Sequence, residues 1–354
     1  MVMKHLRLYT NRSSEPLLCI IQSMKYNPVD LSKIHTYSLH NREHKSIGSC
    51  KNLPDRGSSC SDFIDSLPDF LGAQSFKRLV DEIVLAYQTN SPVVAAMGGH
   101  VIKVGCGPVI IDLIKRGVIK AIACNGSFAI HDVEIALFGK TSEDVTKAVL
   151  DGSFGMVQET FDFFNKAIAH SQLSNGLGHS IGDVLIETDK NCVSVIKTAR
   201  EYDIPCCIHV ALGTDTIHMA DLNISQLANA SMYDFRLLCD VVSKLGVWLN
   251  IGSAVIMPEV FLKAVTVARN LGAELDNLFT ANFDMIQHYR PHQNVVTRPV
   301  KPGYGVQIIG HHEIMLPLLR QAIIEKISER SSKCTTFDPR LRRAHIGDLL
   351  HFEC

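Results

Sequence analysis

The sequence has no apolar stretch long enough to span a bilayer. The apolar run nearest its start, residues 17–21, is also too short for the core of a signal peptide. A membrane-embedded or secreted protein is therefore not expected. Positive charge is not in surplus: 35 Lys and Arg face 36 Asp and Glu, a formal net charge of −1. Nothing is left over to neutralise a phosphate backbone, so nucleic acid is not an expected partner. There is no C-x-x-C pair among the 11 cysteines, whose number is odd and whose positions are scattered. Cys206 and Cys207 are adjacent inside an apolar run. This pattern reads as reduced, mostly buried thiols in a cytoplasmic protein. The G-x-S-x-G elbow, the G-x-x-x-x-G-K-[ST] phosphate loop and the H-E-x-x-H zinc helix are all missing.

What is present is an ordinary globular balance over 354 residues, 46% hydrophobic and 20% charged. Residues 1–66 are mixed and weakly periodic and read as an irregular extension. Residues 67–329 carry the folded domain, and 330–354 read as a polar, basic tail. Phe76, Leu79, Val80, Ile83 and Val84 recur at helical spacing. Six short apolar runs follow, at 92–97, 118–124, 206–212, 247–251, 275–280 and 306–309, with helical patterns between them. Pro108 and Pro258 suit first helical positions, and Thr141–Asp144 fits a capping box. The runs are continuously apolar rather than alternating, as in strands buried on both faces. The expected fold is α/β, a Rossmann-like doubly wound parallel sheet.

In such a sheet, ligands bind beyond the carboxyl ends of the strands. Here nearly every expected strand ends in glycine and polar residues. His100, His131, Asp215, His218, Asp284, His311 and His312 all fall there. Glycine lets a backbone approach a ligand closely, and the polar neighbours supply hydrogen bonds. Gly105-Cys106-Gly107-Pro108 before a helix suggests an anion-binding turn, although Ile110 replaces the third glycine of G-x-G-x-x-G. No acidic residue ends the second strand to hold a ribose. His131-Asp132-Val133-Glu134 groups three ionisable side chains at a strand-to-helix corner, with His131 and Glu134 on one helix face. Such a group suits a ribose, a cationic substrate or a metal. His311-His312-Glu313 lacks the spacing of a zinc site, so no metal is expected. Gly176-Leu177-Gly178-His179 reads as a turn, with a second anion loop as the alternative.

Several of these stretches resemble one family. Gly99-His100-Val101-Ile102-Lys103, Ile111-Asp112-Leu113, Asn125-Gly126, His131-Asp132-Val133-Glu134 and Thr141-Ser142-Glu143-Asp144-Val145 are similar to deoxyhypusine synthases, and more closely to their bacterial deoxyhypusine synthase-like branch. The resemblance runs with gaps from Leu67 to Leu319. It implies an NAD-binding protein, a homotetramer, and chemistry on spermidine or a related small amine. It places the nucleotide loop at 100–107 and the motif after the second strand at 126–134. Thr280, Asn282 and Asp284 would lie along the cofactor. By this reading His100, Gly105, Gly107, Asn125, Gly126, Asp132, Asp215, Thr280, Asn282 and Asp284 hold NAD, and His131, Glu134, His311 and His312 are catalytic. Asn250 and Arg298 face the substrate. Asn250 lies where the family has paired histidines before an Asn-Ala-Asn run, and Arg298 takes the position of the nucleophilic lysine. The family's neighbouring tryptophan is missing as well. Arginine stays protonated and cannot form an imine, so a working deoxyhypusine synthase is not expected. The expectation is an NAD-binding oxidoreductase or transferase acting on a small amine or a related metabolite. A ligand sensor or scaffold and a metal-dependent hydrolase are the alternatives.

Overall fold

The computed structural model describes residues 26–44, 53–171 and 176–334. Residues 1–49 and 50–354 separate into two units. In the first, residues 26–44 form two short 3-10 turns, Leu31–Lys33 and Leu39–Asn41, with exposed side chains. The expected tail lies largely outside the described residues.

The second unit is built on six parallel strands: β1 (Val93–Met97), β2 (Ala121–Asn125), β3 (Cys206–His209), β4 (Val247–Ile251), β5 (Phe279–Asp284) and β6 (Gly305–Ile309). Their spatial order is β3-β2-β1-β4-β5-β6. This is the doubly wound Rossmann order, whose direction reverses between β1 and β4. The helices are α1 (Cys60–Ser66), α2 (Leu71–Gln88), α3 (His100–Lys103), α4 (Gly107–Lys115), α5 (Gly126–Phe138), α6 (Val145–Asp151), α7 (Gln158–His170), α8 (Leu177–Thr188), α9 (Val195–Glu201), α10 (Ile224–Ser243), α11 (Ile256–Asn270), α12 (Tyr289–Pro291) and α13 (His312–Cys334). A π-helical turn, His292–Thr297, follows α12.

Successive strand residues point to opposite faces. One face carries Val93, Ala95, Met97, Ile122, Cys124, Ile208, Leu249 and Phe283 into a core shared with α2, α4, α5 and α8. The other carries Val94, Ala96, Ala123, Cys207 and Trp248 against α10 and α11. Both faces are covered, which explains why the strands read as largely apolar runs. β4 falls where the sequence placed it. β5 starts four residues later than expected, because Leu275 and Leu278 bury from a loop rather than from a strand. α1, inside the stretch expected to be irregular, docks on the main body: Ser61 N donates to Glu325 Oε2 at 2.7 Å.

Asp132 is fully buried, and both its oxygens face the start of α9. Oδ2 accepts from Ser194 Oγ at 2.5 Å and from Ile196 N at 3.0 Å; Oδ1 accepts from Val195 N at 3.0 Å. It caps a helix 62 residues away and does not reach the cofactor crevice expected from the sequence. Replacing it by alanine strands three donors and should cost about 2–4 kcal/mol. Asp132→Ala is expected to melt at markedly lower temperature in a calorimetric scan. A melting point within a degree of the parent would contradict the capping role.

Candidate active site

The strand ends nearest the reversal point meet on glycines. An added Cβ at Gly98 would stand 2.3 Å from Gly252 O, and one at Gly252 (φ +63°) would stand 2.6 Å from His312 Nε2. One at Gly99 would strike Ser127 Oγ at 2.5 Å and His131 Cδ2 at 2.8 Å. Only glycine fits at these three positions. Among the described residues nothing accepts from the N–H groups of Gly99 and His100. Gly105 and Gly107, expected to form the nucleotide turn, lie beyond α3. A Cβ at Gly105 would stand in open space, and its φ of +77° is one that favours glycine. The pair that matters is Gly98-Gly99.

On the β2 and β3 side, a cavity of about 800 Å³ is lined by Lys103, Ser127, His131, Glu134, Thr141, Thr160 and Asp215, among others. Ser127, His131 and Glu134 follow one another at helical spacing on a single face of α5. Thr141 Oγ donates to Glu134 Oε2, and Thr160 Oγ donates to Glu134 Oε1 at 2.9 Å. His131 Nδ1 lies 2.7 Å from Thr141 Oγ. Thr141 has one proton, and the carboxylate takes it. The His131 contact must therefore be Nδ1–H donating to Thr141, which leaves Nε2 as an acceptor. Burial, reinforced by the charge of Lys103, pushes the His131 pKa down to about 4, so the ring is neutral at physiological pH. Thr141 was expected in a capping box for α6; the box is absent, and Asp144 starts that helix without a side-chain cap.

Asp215, from the β3–α10 connection, leans across to the neighbouring strand end. Its Oδ2 stands 2.1 Å from where a Gly126 Cβ would be, and it has no partner among the described residues. The Ser127 N–H at the start of α5 donates to the same carboxylate. Burial raises its pKa to about 6, against the pull of that donor. Asn125, expected at the cofactor, accepts from Phe128 N at 3.0 Å and caps α5.

On the β4 and β5 side, His312 is buried at the start of α13, edge-on to His100 with ring centroids 5.8 Å apart. Its Nδ1 has no partner among the described residues. Burial lowers its pKa, partly offset by Asp284 at the end of β5. His288 Nε2 lies 3.9 Å from Asp284 Oδ2. Asn250 and Asn282 sit side by side on β4 and β5, fully buried. His311 is exposed, beside Glu313, and does not share this pocket.

Two expected site residues lie at the wrong end of the sheet. Thr280 is near the start of β5, about 13 Å from its tip by strand rise; its hydroxyl donates to Val295 O at 2.7 Å. Arg298 follows the π-helical turn and donates to Asn294 Oδ1 at 2.8 Å. The next residue, Pro299, accepts from Arg269 in the last turn of α11. The chain after β5 returns past the whole sheet before β6, which sets Arg298 apart from His312 and Asp284 at the strand ends. Among the described residues no group of three or more His, Cys, Asp or Glu is arranged to hold a metal, and no helix is long and apolar enough to cross a membrane.

The family model for the arginine dihydrolase ArgZ-like C-terminal Rossmann fold matches residues 77–160. This stretch includes Gly98-Gly99 and the His131–Glu134 face. No curated protein matches. Among solved structures, AgrE in complex with ornithine and NAD+ aligns over 72% of this chain and 33% of its own, at 13% identity and TM-score 0.50. Cyanobacterial ArgZ, an arginine dihydrolase of the ornithine-ammonia cycle, aligns over 71% and 32%, at 14% identity and TM-score 0.46. A protein described as a deoxyhypusine synthase from Entamoeba histolytica aligns over 78% and 96%, at 11% identity and TM-score 0.48. The chain thus spans about a third of the length of ArgZ and AgrE. The family model that matches is the ArgZ-like Rossmann domain, and a deoxyhypusine synthase stands among the similar folds.

The shifted Asp215 carboxyl gives a stability prediction. Its folded pKa, about 6, exceeds the unfolded value of 3.8. Well below pH 4 both states are protonated and the site is neutral to folding. As pH rises to 6 the unfolded chain ionises first, and the folded state loses on the order of 2–3 kcal/mol relative to it. Asp215→Asn removes this slope. Its melting temperature should gain on the parent between pH 4 and pH 6 and run parallel above pH 7. A constant difference across that range would contradict the assignment.

Proposed function

We propose that this chain is an NAD-binding oxidoreductase or transferase acting on a small amine, with the dinucleotide lying across the β1/β4 reversal point. The observation that carries the reading is Asp215 over Gly126. A Rossmann dinucleotide site uses an acidic group near the tip of β2 to hold the adenosine ribose. β2 itself ends in Asn125, which is committed to capping α5. The neighbouring connection supplies the carboxylate instead, with one oxygen free. His131 Nε2, fixed as an acceptor, faces the same cavity and suits the second hydroxyl of a cis-diol. Gly98 and Gly99 allow the close approach that a pyrophosphate needs.

Bound NAD would supply the hydride acceptor. The residues of this chain that suit the accompanying proton transfer are His312, buried and held neutral with Nδ1 unpartnered, and Asp284 beside it. The amine substrate is supported by the ornithine and NAD+ found together in AgrE. Assembly into a homotetramer and a cytoplasmic location belong to the same reading.

Calorimetric titration of the full chain with NAD, after removal of any co-purified nucleotide, tests it. One site per subunit is expected, and Asp215→Asn should weaken binding about tenfold or more while remaining folded. No heat and no saturation at millimolar NAD would overturn the proposal.

A further inference from the structure

On the face of the sheet that packs against α10 and α11, one row of side chains crosses all six strands in register. It runs Cys207, Ala123, Ala96, Asn250, Asn282, Gln307. The three strands on one side of the reversal point carry small groups, and the three on the other side carry amides. Neighbouring strands stand about 4.8 Å apart, so the amides adjoin.

The orientation of two of these amides follows from their partners. One end of the Asn250 side chain lies 2.9 Å from Ser253 O, a carbonyl that can only accept. That end must be Nδ2. The same nitrogen lies 2.6 Å from Asn282, so the Asn282 atom facing it must be Oδ1. Asn250 Oδ1 and Asn282 Nδ2 are then left over, one acceptor and one donor. Both are shut off from solvent and without a partner among the described residues, as are both amide atoms of Gln307. Asn250 and Asn282 are 0% and 1% exposed, and Gln307 at the outer strand is half-buried. Buried amide groups are ordinarily paired, so four unpaired atoms in one row mark a place where a partner belongs.

The partner must offer a donor and an acceptor and carry no charge. A cation would be repelled by the free N–H groups of Asn282 and Gln307, and a carboxylate by the fixed Asn250 oxygen. A primary carboxamide satisfies both ends. We propose that the amide row Asn250–Asn282–Gln307 reads the carboxamide of the nicotinamide ring and so selects the amide form of the dinucleotide over its carboxylate form. The row belongs to β4–β6, the half of the doubly wound sheet opposite the Asp215 cavity. It lies one to two residues short of the strand tips where His312 and Asp284 stand. This inference rests on the dinucleotide reading above.

The test compares three probes by calorimetry on the full chain: NAD, nicotinic acid adenine dinucleotide, and ADP-ribose, which lacks the ring. The parent should bind NAD about tenfold or more tightly than the nicotinic acid form. Gln307→Leu and Asn282→Ser, each checked for a cooperative melt, should bring that ratio to about twofold while leaving ADP-ribose affinity unchanged. Gln307 lies on the outer strand, so its variant keeps the test alive should Asn282→Ser not fold. A parent that binds NAD and the nicotinic acid form equally would overturn the inference and leave the dinucleotide site standing. So would folded variants whose preference is intact, or whose ADP-ribose affinity falls in step with NAD. A parent that binds neither ADP-ribose nor NAD would instead remove the dinucleotide reading itself.

Discussion

Three helices in this fold begin against a carboxylate supplied by another part of the chain. Asp132 on α5 closes the start of α9, and Asp234 on α10 receives Gly178 N and Ile208 N, joining the start of α8 to β3. Asp215 meets Ser127 N at the start of α5. A helix start exposes N–H groups with no partner in the helix, and a negative charge there is favourable. The first two are almost completely buried, so burial opposes their ionisation; for Asp234 the pKa rises to about 7 even with backbone donors in place. They tie helices together across 62 and 56 residues of sequence. Asp215 differs. One of its oxygens is unmatched, and it lines a cavity.

That difference separates scaffold from site. Asp132 and His131 are neighbours in sequence, yet successive helical residues turn by about 100°. His131 and Glu134 therefore face the cavity while Asp132 faces α9. The glycines at 98, 99 and 252 bring the β1 and β4 ends into contact and set His100, His131 and His312 around them. His131 and His312 are neutral for the same reason: the low-dielectric surroundings disfavour the imidazolium. A neutral ring can take a proton, and its tautomer, at least for His131, is dictated by a threonine and a glutamate.

The fold was legible because a sheet covered on both faces leaves largely apolar runs; the 247–251 run coincides with β4, and the helical spacing of Phe76 to Val84 falls within α2. The late start of β5 was not, since a loop that buries Leu275 and Leu278 has the same composition as a strand. The His131–Glu134 face could be read from spacing alone. The partners of that face could not: Thr141, Thr160 and Asp215 reach it by non-local contacts that no local pattern encodes. Asp132 was a legible error, because i and i+1 never share a helix face. Arg298 was assigned by counting across a connection whose path only the structure supplies. Gln307 left no signal in the sequence, its place in the amide row being a matter of strand register.

A dinucleotide across the β1/β4 reversal point, one half over Asp215 and the other over the amide row, is tested most directly by hydrogen-exchange mass spectrometry of the full chain with and without saturating NAD. Bound NAD should slow exchange at 97–103, 125–131, 211–218 and 250–256, and leave it unchanged at 298–304 on the opposite end of the sheet. Protection confined to that opposite end, or no protected segment at all under saturating NAD, would contradict it.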